Sequence, residues 1–87
     1  MKTFKYNNIS TATTTVVTSG AGVLHSITVN DTAAGTITIY DNTAGSGDTI
    51  GTMVASIGEG TYEYNVEFNT GLTIVTAAAS DITVAYE

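Results

Sequence analysis

From Thr61 to Asn69 apolar and polar residues alternate without a break, with Tyr62, Tyr64, Val66 and Phe68 on one side and Glu63, Asn65 and Glu67 on the other. Successive side chains of an extended strand point to opposite faces. The pattern therefore predicts a strand whose aromatic side meets a core. A one-residue slip would bury two carboxylates, so the register is tightly specified.

The same period of two recurs elsewhere. Val23 to Val29 predicts a strand with Val23, His25, Ile27 and Val29 on one face and Leu24, Ser26 and Thr28 on the other. Thr36 to Tyr40 sets Ile37 and Ile39 against Thr36, Thr38 and Tyr40, and its simplest partner is the strand before it. Leu72 and Ile74 point inward from a strand that follows Thr70-Gly71, a turn read as closing a β-hairpin with Thr61 to Asn69. Ile82, Val84 and Tyr86 line one side of a last strand. Thr11 to Thr18 is rich in β-branched residues and lacks helical periodicity, which favours a further strand. Thr49 to Ile57 reads as a weaker one in which Gly51 marks a bulge. The inward positions expected to meet the aromatic side of Thr61 to Asn69 are Ile27, Ile37, Ile39, Leu72, Ile74, Ile82 and Val84.

The sum is seven to eight short strands separated by Gly-, Asn- and Ser-rich turns, with no amphipathic helix and no proline. Such spacing predicts an all-β fold, a small antiparallel β-sandwich or jelly roll in preference to a barrel of longer strands. A chain of 87 residues holds one domain. We expect residues 11–87 to form it, with residues 1–10 as an N-terminal arm or an edge strand. A domain this size has a thin core, and with no cysteine and one histidine it has neither a disulfide nor a histidine cluster to reinforce it. Self-association is the remaining common reinforcement, so a homo-oligomer is expected.

Charge narrows the partners. The formal charge is -6, and the two basic residues, Lys2 and Lys5, both precede Tyr6. An acidic body is a poor match for phosphates, which argues against nucleic acid and against an anionic membrane surface. No apolar run approaches the ~20 residues of a membrane span, and the amino terminus lacks the apolar centre of a signal peptide.

Candidate chemistry is sparse. His25, expected on an apolar face, has no nucleophile motif beside it. Glu63 and Glu67 would stand about 13 Å apart on one strand, farther than a glycosidase pair requires. Neither points to an enzyme. The Asp41 to Asp48 loop has oxygen ligands for Ca²⁺ but lacks the Glu that closes an EF-hand, so a plain turn is expected and no metal or other cofactor is called for. Thr13, Thr15, Thr36 and Thr38 are read as an outward threonine face, with Tyr40 beside it as a contact residue. Lys2, Phe4, Lys5 and Tyr6 are candidate partner-binding residues, as an arm that could add to a neighbour's sheet or as the first strand of its own.

The stretches Gly22 to Asn30, Gly35 to Asn42, Val66 to Thr76 and Asp81 to Tyr86 resemble small structural proteins of tailed bacteriophages, and the resemblance runs from about Gly22 to the end. It implies a β-sandwich or jelly-roll module in the virion, assembled in the host cytoplasm. Many such proteins are trimeric capsid cement or decoration proteins, and some are bases of head fibres or tail spikes. The expected partners are copies of the chain, as a homotrimer, and the major capsid protein. Two alternatives stay open: a receptor- or carbohydrate-binding module of a phage fibre or spike using Tyr40 and the Asp41 to Asp48 loop, and a bacterial surface adhesion domain.

Overall fold

A computed structural model describes residues 3–87. Among them are eight strands and no helix: β1 (Lys5–Ile9), β2 (Thr14–Ser19), β3 (Gly22–Asp31), β4 (Ile37–Asp41), β5 (Asp48–Met53), β6 (Gly60–Phe68), β7 (Gly71–Thr76) and β8 (Asp81–Tyr86). They form two antiparallel sheets of four. The first has the order β1-β8-β3-β6 and the second β2-β7-β4-β5.

The pairings follow one rule. β4 pairs with β5, β3 with β6, β2 with β7 and β1 with β8. The chain is thus one long hairpin with its tip between β4 and β5, wrapped so that β3 also meets β8 and β4 also meets β7. Eight strands wrapped this way make a jelly roll.

Two expected pairings are corrected by this wrap. β6 and β7 are not a hairpin, because they lie in different sheets and the chain crosses between layers at Asn69–Thr70. The amide hydrogens of that crossing go to a side chain, Asp41, instead of a neighbouring strand. β3 and β4 are likewise in separate sheets. Their crossing is pinned at Gly35, where a Cβ would lie 2.6 Å from both the Cβ and the backbone nitrogen of Ala78. Only glycine lets the two connections approach so closely.

The inner faces meet in a core of Leu24, Ile27, Val29, Ile37, Ile39, Phe68, Leu72, Ile74, Ile82 and Val84, each 2% exposed or less, with Ile9 and Met53 at its margins. The expected inward aliphatics are all there. The aromatic side of β6 is different: Phe68 is buried, Tyr62 and Tyr64 are half-buried, and Val66 is exposed. β6 is an edge strand, so its upper half overhangs the core instead of organising it. Tyr64 lies against Gly51 of β5, where a Cβ would come within 3.1 Å of its ring. That contact puts the edges β6 and β5 on one narrow side of the sandwich and β1 and β2 on the other. Burial pushes the Tyr64 phenol upward in pKa.

Bulges explain the remaining face errors. Leu24 opposes Val66, but Ser26 opposes Glu63, so His25 on β3 faces two residues, Tyr64 and Asn65, on β6, one more than regular pairing allows. Asn65 takes φ 54°, a left-handed conformation that asparagine tolerates better than most residues. The bulge turns Leu24 inward and removes His25 from the inner face. On β2, Thr15 stands opposite buried Ile74 and so shares its inner face, against the expectation of an outward threonine. Val17 is the bulged residue there, between Val16 and Thr18.

Gly22 offers a direct test of the packing at the sheet corner. A Cβ there would collide with the Glu87 carbonyl oxygen and lie 2.6 Å from Phe68 Cζ. Gly22→Ala is expected to lower the unfolding free energy by about 1–3 kcal/mol. Urea titration measures this, and an unchanged midpoint would mean that the corner can relax.

Candidate functional site

The outer face of the β1-β8-β3-β6 sheet is built from rows that run across all four strands. One row is Asn8, Thr83, Thr28 and Thr61; the next is Tyr6, Ala85, Ser26 and Glu63. In the first, Asn8 Nδ2 donates to Asp81 Oδ1 at 2.7 Å, and Asn30 Nδ2 donates to the same oxygen at 3.2 Å and to Thr83 Oγ1 at 3.1 Å. Thr28 and Thr61 hydroxyls are 3.0 Å apart. These side chains spend their polar groups on one another and stiffen the face.

The second row is flanked by an aromatic pair. Phe4 stacks on His25 with ring centroids 4.1 Å apart and planes 8° from parallel. His25 Nδ1 lies 2.9 Å from Asn65 Oδ1, an acceptor, which selects the tautomer protonated at Nδ1. The bulge that expelled His25 from the core thus supplies its hydrogen-bond partner. Tyr6, one residue beyond Lys5, is 73% exposed on this face. The result is a preformed patch of Phe4, Tyr6 and His25 edged by Glu63 and Asn65.

The expected contact residues therefore divide. Lys2 lies outside the described residues. Phe4 and Tyr6 fall on the outer patch, while Lys5 alternates with Tyr6 and opens β1, which joins the protein's own sheet along Asp81–Tyr86. Tyr40 is half-buried on the outer face of the other sheet, opposite Thr73. The molecule measures 33 × 30 × 17 Å, so the Tyr6 patch and Tyr40 sit on its two broad faces and do not form one site.

The loop after Tyr40 is structural. Asp41 accepts the backbone amides of Asn69 at 3.0 Å and Thr70 at 2.8 Å, with Gly71 at 3.4 Å. The Thr70 and Asn69 amides, more than offsetting desolvation, hold its carboxyl below its ordinary pKa. Asn42 braces the loop through Nδ2 to the Ser46 carbonyl at 2.8 Å, and its own carbonyl accepts the buried Thr73 hydroxyl at 2.7 Å. The loop therefore folds back over β7. The carboxylate that would have led a calcium site is engaged by amides, and among the described residues no three His, Asp or Glu gather as a metal site. No pocket is formed by the described residues.

Neither known protein families, curated proteins nor solved structures include a match to this chain.

Two residues of this picture escaped the sequence reading, Asn65 and Asp41. An asparagine in the middle of an otherwise strand-favouring run is the signal for the first, because it suits a left-handed bulge. Nothing in the sequence links Asp41 to a turn 28 residues later.

A carboxyl whose folded pKa is depressed stabilises fully above its unfolded value, about pH 4, and loses that contribution as pH falls through the folded value. Asp41→Asn is expected to lower the denaturation midpoint near neutral pH, with the gap to wild type narrowing below about pH 4. A gap that stays constant with pH would show that the charge on Asp41 contributes nothing.

Proposed function

We propose that this chain is a non-enzymatic structural protein of a tailed-phage virion, a capsid decoration or cement protein. It binds the shell of major capsid protein as an oligomer, a trimer by the resemblance of its strands, and stabilises that shell. The observation that supports this most is the Tyr6 patch. An aromatic side chain 73% exposed, on a strand locked into a sheet and flanked by stacked Phe4 and His25, presents apolar area with little left to order on binding. Interface hot spots are rich in tyrosine for this reason. A flat polar face with such an anchor suits adhesion to a broad protein surface. Summed over several copies, modest contacts give high avidity.

The test is cosedimentation with empty shells assembled from the major capsid protein of a tailed phage that encodes this chain. Wild type is expected to pellet with the shells and to raise their melting temperature. Tyr6→Ala is expected to bind about thirtyfold more weakly, the equivalent of roughly 2 kcal/mol. Wild-type protein that stays in the supernatant would refute the shell reading, and Tyr6→Ala that binds like wild type would move the contact elsewhere. Glycan binding lost in Tyr40→Ala would replace the shell reading with the receptor-binding one.

A further inference from the structure

The four sheet edges are guarded unequally. β6 carries Glu63 and Glu67 and the Asn65 bulge, β5 begins at Asp48, and β1 begins at Lys5. β2, Thr-Thr-Val-Val-Thr-Ser, has no charge at all, and Val16 is 49% exposed in its middle. An exposed edge without charges is a template for another strand, which proteins ordinarily block with lysine, proline or inward charge. The β2 edge has one irregularity, the bulge at Val17. Ahead of it the ladder runs evenly from Thr13, which exchanges backbone hydrogen bonds with Thr76, to Val16 opposite Thr73.

Charge says what meets this edge. The first acidic residue in the chain is Asp31, so β1, β2 and the connections around them are drawn wholly from an acid-free segment. Of the acids beyond it, Asp81 reaches toward β1 but is held by Asn8 and Asn30. Asp48, Glu63 and Glu67 lie on the opposite narrow side, with β5 and β6. Between two molecules of charge -6, the acid-free edge strands β1 and β2 offer an approach with less repulsion than the β5 and β6 edges, which carry Asp48, Glu63 and Glu67. Lys5 at that side further favours a neighbour of net negative charge.

We propose that further copies of this chain pack through the β1–β2 side, with the Thr13 to Val16 edge accepting strand pairing from a neighbour. In a ring this sets the acidic β5–β6 sides outward. The inference rests on the self-association half of the proposed function and needs no shell. The experiment is sedimentation equilibrium of the isolated protein over a concentration series, with circular dichroism to verify the fold of each variant. Wild type is expected to associate. Val16→Lys and Thr14→Glu, both at exposed positions, are expected to weaken self-association at least about tenfold, whereas Glu67→Gln on the far side is expected to leave it intact. A wild type that is monomeric throughout would overturn the proposal. So would folded Val16→Lys and Thr14→Glu variants that associate like wild type, or association abolished by Glu67→Gln alone. Failure of shell binding would leave these outcomes untouched.

Discussion

Each of the two sheets has one apolar face, and neither has anything but the other sheet to cover it. There is no helix among the described residues and no disulfide to share the task. That mutual burial is what the rest of the molecule serves. It requires the chain to change layers repeatedly, and each crossing exposes backbone amides that no strand can satisfy. The crossing from β6 to β7 is met by the Asp41 carboxylate, and Thr76 serves the chain entering β2 by donating to the Thr11 carbonyl at 2.6 Å and accepting from the Thr13 amide. Gly35 instead removes an atom where two connections must nearly touch, and Gly22 does so where β3 meets Phe68 and the Glu87 carbonyl. Polar groups at the corners and aliphatics between the sheets are two halves of one solution.

The bulges carry that solution to the surface. Without the irregularity at His25 and Asn65, β3 would direct an imidazole into the sandwich and Leu24 away from it. With it, the imidazole becomes half of the stacked pair that borders Tyr6. Packing inside and the patch outside are therefore set by the same local departure from regular pairing. A change at Asn65 would be felt on both sides of the sheet.

This also explains what was legible beforehand. Ile37, Ile39, Leu72, Ile74, Ile82 and Val84 were readable as core because their strands alternate and pair regularly through that stretch. Thr61 to Asn69 alternates more cleanly than any of them, yet it is an edge, because alternation reports which residues share a face and not how many strands lie alongside. The inward turn of Leu24 and Thr15 was hidden by bulges, which shift parity without altering composition. The mistaken β6–β7 hairpin has a different origin. A tight Thr-Gly turn looks the same whether it joins neighbours or crosses layers, and the carboxylate that decides the matter lies far away in sequence. Of the contact patch, Phe4 and Tyr6 were visible as aromatics near a terminus, while their grouping with His25 depends on long-range register.

The wrapped hairpin has a temporal consequence. Its tip, β4 with β5, closes over a short loop, but each outer pair must wait for a longer one, and β1 is completed only by β8, with Lys5 opposite Tyr86. Loop-closure entropy makes the distant pairings late and slow. During synthesis β1 therefore emerges long before its partner exists, carrying Ile9 and an unpaired backbone into solution. Its lysine and asparagines are residues that can tolerate that wait, and a chain so arranged reaches its native form from the tip outward.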